Sequence, residues 1–264
     1  MPMMVTMGSR ERASILFSGG SDSTLAAAIM CEDFSDVTLL TYYHRGIVSW
    51  ENSRINAARL IDRYGQDRVR HYALDIEEIM REIYCEPYIG DLLRYRGYMS
   101  ANICSACQLA MHVCTIIHGL NNGVSNACDG YKREKHHIYP FMSEVGIAET
   151  GRLYRRFGMG YSTPVYDIKR TDWRLFDMGL TDRRDVKFPD RDIAFKTQHH
   201  CPAGTLVNAY LLGYCIPRYG EKRVLATGLG YWREKITSAE SIIKQHKGDG
   251  SSLEWHEIQY RESS

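Results

Sequence analysis

The chain has 264 residues, 44% of them hydrophobic and 25% charged, with a formal net charge of +1. That length suits one large or two small domains with a real core, and that balance excludes a disordered or fibrous chain. Near-neutral charge excludes a global bias toward nucleic acid, no apolar run of about 18 residues suggests a membrane span, and residues 1–12 lack the apolar core of a signal peptide; a cytoplasmic protein is expected.

In chain order, an apolar run predicts a first strand over 13–17. Ser-Gly-Gly-Ser-Asp-Ser-Thr follows at 18–24, and a helix is expected over 21–32. The β-prone run VTLLTYY predicts a second strand over 37–43. A helix over 51–64 follows, with Ile55, Ala58, Leu60, Ile61 and Tyr64 on one face. A third strand is expected over 69–73, a helix over 75–83, a long helix from 105 to about 119, and a fourth strand over 123–128. Residues 161–168 read as a short extended segment, 169–179 as a helix and 204–214 as an apolar helix. Residues 226–230 carry little signal, and the tail from about 246 is expected to be loosely held.

Alternating strands and helices imply a parallel sheet with right-handed crossovers. Ligands of such sheets bind beyond the carboxyl ends of the strands, where the strand order reverses. The turn at 18–24, the end of strand 2 at 42–46 and the end of strand 4 at 128–131 should therefore converge.

The turn at 18–24 carries the first chemistry. Strand, glycine-rich turn and helix start make a phosphate site, because a helix N-terminus offers unpaired N–H groups and a positive dipole end. Ser18, Gly19, Gly20, Ser21, Ser23 and Thr24 are candidate phosphate donors. Asp22 suits Mg²⁺ better than phosphate, and Asp129 is a second Mg²⁺ candidate. Lys169, Lys132 and Arg133 are candidates for reaching a pyrophosphate. No Lys follows Gly20, so the loop is not of the G-x-x-x-x-G-K-[ST] kind.

The run SGGSDST resembles the SGGxDS loop of the PP-loop ATP pyrophosphatases, within the adenine nucleotide alpha hydrolase-like proteins. That resemblance implies an HUP-like, doubly wound, mostly parallel sheet of about five strands flanked by helices. It implies cleavage of ATP between the α and β phosphates, giving AMP and pyrophosphate. TYYHRG at 41–46, SNACDG at 125–130 and YSTPVYDIKRTD at 161–172 resemble segments of 7-cyano-7-deazaguanine synthase. By that likeness Tyr42 and Tyr43 contact adenine. The pyrophosphatase domain is expected over 1–180, with a helical C-terminal region over 181–264 that contributes Cys201.

The cysteines depart from that synthase, which carries four closely spaced zinc-binding cysteines. Here Cys104-Ser-Ala-Cys107 precedes the long helix and Cys201 lies far downstream. This layout is similar to that of the tRNA 2-thiocytidine synthetases, which implies a [4Fe-4S] cluster on Cys104, Cys107 and Cys201 with one iron open to carry sulfur. A helix N-terminus beneath Cys104 and Cys107 would depress their pKa values. Zn²⁺ on the three cysteines with His199 or His200 competes with the cluster, as does metal-free persulfide chemistry.

The expected function is an ATP-dependent sulfurtransferase. Asp22, Asp129, Lys169, Cys104, Cys107 and Cys201 are its candidate catalytic groups. It would adenylate a nucleobase carbonyl and replace the oxygen by sulfur from sulfide or a persulfide carrier. The acceptor is a free purine base or nucleotide, or tRNA. Arg81, Arg94, Arg96, Lys132, Arg133, Lys135, Arg155 and Arg156 are the basic residues available for the latter, and a homodimer is expected. Two alternatives stay open: a nitrogen-inserting synthase with structural zinc, and a nucleotide-binding module without chemistry.

Overall fold

Ala13, Ser14, Ile15 and Leu16 are buried in the strand Arg12–Leu16 (β1), so no alternation is visible in its sequence. A strand covered on both faces reads that way. The same holds for Asp36–Tyr43 (β2), where six successive residues are buried. The computed structural model describes residues 11–133, 139–182, 184, 197, 200–248 and 253–260. His199 and Lys135 lie outside the described residues.

The sheet has six strands in the order β5-β4-β1-β2-β3-β6. The others are Val69–Asp75 (β3), Asn126–Cys128 (β4), Gly160–Ser162 (β5) and Trp255–Glu257 (β6). All neighbours pair in parallel except β3 and β6, which are antiparallel. The architecture is α/β as expected, with six strands where about five were expected. The extra strand is β6, in a tail expected to be loosely held. Instead Ile258 N donates to the His71 carbonyl at 2.9 Å, and His71 Nδ1 lies 2.6 Å from the Tyr260 hydroxyl.

Ten α-helices flank this sheet among the described residues. Ser21–Asp33 (α1), Ser53–Tyr64 (α2) and Thr171–Asp177 (α7) pack on one face, against Ile15, Leu39 and Val69. Met99–Asn122 (α5) and Glu221–Gly248 (α10) cover the other, against Leu16, Leu40 and Leu74. Glu77–Met80 (α3) runs on into a wider π turn, and Tyr88–Tyr95 (α4) leads to α5. Glu144–Arg156 (α6) precedes β5, while Pro202–Tyr210 (α8) and Ile216–Tyr219 (α9) precede α10.

The apolar stretch Ala101–Asn122 of α5 is long enough to cross a membrane, but 72% of its most apolar window is buried within the fold. It is the central core helix, with Leu109, Val113, Ile116 and Ile117 at zero exposure. Because β1 has β2 on one side and β4 on the other, the strand order reverses beside its carboxyl end. A crevice opens there.

Candidate active site

β1 hands over to α1 through a turn that only glycine can make. Gly19 has φ +76°, and a Cβ there would lie 2.2 Å from the Thr197 carbonyl oxygen and 2.5 Å from Ser53 Cα. Asn56 Nδ2 donates to the Gly19 carbonyl at 2.7 Å, tying the turn to α2. Gly20, extended, starts α1 without a side-chain cap, leaving first-turn N–H groups to the crevice.

The hydroxyls of the loop mostly brace it. Ser23 and Thr24 donate to the Gly20 carbonyl at 3.1 and 2.8 Å, and Ser18 Oγ lies 3.1 Å from Ser23 Oγ while accepting from Gly20 N. Thr24 is fully buried. The sequence reading treats every hydroxyl as a phosphate donor; the structure uses Thr24 as an internal strut. Asp22 Oδ1 accepts from Thr171 Oγ1 at 2.6 Å, which docks α7 on the loop.

A cavity of about 250 Å³ lies at the switch point. Ser18, Gly20, Asp22, Ser23, Tyr42, Asp129, Gly130 and Tyr131 line it, so the three expected strand ends converge. Tyr42 is held by its hydroxyl 2.7 Å from Thr115 Oγ1. Tyr43 points elsewhere and stacks on Trp50 at 4.6 Å. Lys169 is exposed and outside the cavity lining. Arg133 is bound to Asp167 and Glu144 and lies 4.7 Å over the Tyr166 ring. Other basic residues named above are likewise in ion pairs: Arg81 with Glu86, Arg94 with Glu234, Arg156 with Glu240.

Asp129 directly follows β4 and is 2% exposed. Tyr161 donates to its Oδ2 and Tyr131 N to its Oδ1. Burial nonetheless dominates and pushes its pKa up to about 7. A cation in the crevice would offset that burial and restore the carboxylate.

A second cavity, of about 280 Å³, adjoins the first. Cys104, Cys107 and Cys201 all line it, with His44, Tyr139 and Phe141. Gln108, Met111 and Met142 line both cavities and form the wall between them. The sequence reading puts Cys104 and Cys107 at a helix start. In fact α5 begins at Met99, so they sit a turn further in, at i and i+3. Their pKa values are not depressed. Burial, followed by the nearby Cys201, pushes Cys104 up to about 12 and Cys107 higher still.

Cys201 caps α8 from across the cavity, its Sγ accepting from Gly204 N at 3.2 Å. His44 Nδ1 accepts from Gly46 N, so the neutral ring carries its proton on Nε2, 3.6 Å from Cys107 Sγ. Burial lowers the His44 pKa, in keeping with that neutral form. Among the described residues, no three of His, Cys, Asp or Glu gather closely enough to hold a single metal ion.

Behind the dividing wall lies a polar chain that sequence reasoning missed. His112 is fully buried, with Nε2 2.9 Å from the Tyr131 hydroxyl and Nδ1 3.1 Å from that of Tyr154. Tyr131 donates to Gln108 Oε1 at 2.9 Å. The signal was present: Cys104, Cys107, Gln108, Met111 and Thr115 follow helical spacing, and Gln108 and His112 interrupt an apolar stripe.

No family model matches the sequence. No curated protein matches it either. Among solved structures, the chain is similar to a predicted subunit of a tRNA methyltransferase from Methanocaldococcus jannaschii DSM. Identity is 17%, the match covers 72% of this chain and 96% of that one, and the TM-score is 0.37. A likeness of that size carries no argument about function.

Proposed function

We propose that the protein is an ATP pyrophosphatase of the PP-loop type that thiolates a nucleobase carbonyl. The observation that carries this reading is the shared wall: the cavity beneath SGGSDST and the cavity of the three cysteines meet at Gln108, Met111 and Met142. An activated carbonyl in one cavity is within a side chain's reach of the sulfur chemistry of the other.

The uncapped N–H groups of α1 bind the phosphates of ATP. Asp22 and Asp129 supply hard oxygen ligands for Mg²⁺. The nucleobase oxygen attacks the α phosphorus, pyrophosphate leaves, and the base carries AMP on that oxygen. A sulfur nucleophile then forms the C–S bond as the C–O bond to AMP breaks. Met111 and Met142 keep the passage apolar, which disfavours hydrolysis of the activated base.

The donor set of the second cavity is three thiols from two segments of the chain, and an iron–sulfur cluster is held by thiolates on separate irons. When bound, it would supply sulfur at an iron without a protein ligand. His44 Nε2–H faces Cys107 Sγ, and the Gly204 N–H donates to Cys201 Sγ. The ion pairing of Arg81, Arg94, Arg133 and Arg156 favours a small acceptor over tRNA.

Anaerobic purification tests this directly. Iron and acid-labile sulfide in the protein, with AMP and pyrophosphate as the products of ATP, are the expected results. Zinc without iron would replace this reading by the nitrogen-inserting one, and ADP as product would overturn the assigned cleavage.

A further inference from the structure

Gln108 is half-buried where the two cavities meet, and its amide is not free to turn. The orientation is given by the Tyr131–Gln108 bond, and proton counting carries it through the chain. His112 is surrounded by Tyr131, Tyr154, Tyr161 and Trp232, all in edge-on contact, and among the described residues no carboxylate shifts it. Its ring is neutral, and burial lowers its pKa to about 3. A neutral ring has one donor and one acceptor nitrogen. Tyr131 has one proton and gives it to Gln108 Oε1. The Tyr131 oxygen therefore accepts from His112 Nε2–H, and His112 Nδ1 accepts from Tyr154. The donors and acceptors are consistent from Tyr154 to Gln108, whose oxygen is occupied by Tyr131 and whose NH₂ is left for the cavities that Gln108 lines.

We infer that Gln108 is a specificity residue that reads the oxo group of the acceptor base, its NH₂ aimed at the cavity junction by the buried relay Tyr154–His112–Tyr131. This deepens, and rests on, the nucleobase reading above. A donor fixed in place accepts a carbonyl oxygen and rejects an exocyclic amine, which presents hydrogens to hydrogens. Bases with an oxo group at the reacting carbon are selected over their amino counterparts. A buried donor left unpaired by the wrong base makes that selection stronger than a surface contact would. Tyr131 and His112 are positioning residues: they act through Gln108.

The test is a binding measurement that needs no turnover. With α,β-methylene-ATP saturating the nucleotide cavity, inosine, adenosine, uridine, cytidine and an unmodified tRNA transcript are titrated by calorimetry. Wild-type protein is expected to prefer the oxo member of at least one pair by about fivefold or more, the scale of one neutral hydrogen bond. Gln108→Glu keeps the bond from Tyr131 and presents an acceptor, so the preference reverses. Gln108→Leu abolishes it. Tyr131→Phe keeps the ring but frees the amide to turn, so discrimination falls below twofold while binding persists. If only the transcript binds, Gln108→Leu is expected to weaken it about fivefold, placing the oxo base within RNA. An unchanged preference in Gln108→Glu, transcript binding indifferent to Gln108→Leu, or no binding of any probe overturns the inference. Release of AMP and pyrophosphate by the same protein is scored separately, so the failure of the pyrophosphatase reading is distinguishable from failure of this one.

Discussion

Gly130 is the position where a single methyl group should do most harm to the proposed nucleotide site. It lies just past β4, against the first turn of α1. A Cβ there would come within 2.7 Å of Ser23 N and 2.9 Å of both the Asp22 carbonyl carbon and Ser23 Cα. Ordinary contacts begin at 3.4 Å, so backbone must retreat by about 0.7 Å, and backbone cannot swing aside as a flexible side chain does. Overpacking of this kind costs about 1–3 kcal/mol. At this chain length that lowers Tm by about 3–10 °C. The larger effect is local, because the displaced atoms are the N–H groups assigned to phosphate. A misplacement approaching 1 Å costs up to about 100-fold in rate. Gly130→Ala should therefore weaken ATP binding about tenfold and lower turnover by about 10- to 100-fold. Gly90→Ala is the control: it is exposed in α4 with nothing within 4 Å of the added carbon, and it should stabilise by about 0.5–1 kcal/mol. Calorimetric titration with ATP and thermal unfolding of both variants decide the matter. Wild-type ATP affinity in Gly130→Ala would refute the reasoning that the first turn of α1 cradles phosphate.

Asp129 makes stability depend on pH. Its carboxyl is held up to about 7 when folded and ionises near about 4 when unfolded, so its contribution is complete below about pH 4 and is lost as pH rises through 7. Thermal unfolding from pH 5 to 8 should show a fall in wild type that Asp129→Asn removes. In metal-free protein under reducing conditions, Cys104 and Cys107 should alkylate slowly at neutral pH, behind exposed Cys85, because burial keeps both thiols protonated; mass spectrometry of the labelled peptides reads the order. Trp255→Ala strips the edge-on partner from His118 (4.9 Å) and Tyr42 (6.2 Å). It should cost about 2–3 kcal/mol in urea unfolding and weaken ATP binding through Tyr42, whereas an unchanged midpoint would mean that β6 does not support the core.

The N-terminal half was legible because its strands are continuous apolar runs and its first turn has a distinctive sequence. β1, α1, β2, β3 and β4 fall where the pattern placed them, within a few residues. What the sequence did not announce was α6 and α10, two helices that contain glycine. Gly146 in α6 and Gly228 in α10 look like breaks. Yet a Cβ at Gly146 would lie 2.3 Å from the Pro140 carbonyl oxygen, and one at Gly228 would lie 2.6 Å from Pro140 Cγ. Both helices close on the same proline, and the glycines are the contact surface. The spacing of Val224, Tyr231, Trp232, Ile236, Ala239 and Ile243 in α10 was helical throughout. β6 had no signal, since three residues cannot show an alternation. At the site, motif spacing identified the cysteines, whereas the wall and the relay needed α5 to be seen as one helix. The pKa reversal at Cys104 and Cys107 comes from their burial and from the nearby Cys201, neither of which residue spacing reveals.

α5 has a consequence for how the two cavities respond to their contents. Cys104, Cys107, Gln108, Met111 and Thr115 ride on one continuous helix, spanning about 16 Å from first to last at 1.5 Å per residue. Thr115 in turn anchors Tyr42, which lines the first cavity. A load on the cysteines is therefore a load on the wall of that cavity. Thermodynamics then imposes a reciprocity: whatever factor a ligand of the first cavity applies to the affinity of the cysteine cavity for its own ligand, that ligand must apply in return. The two chambers keep a common ledger, and measuring either entry fixes the other.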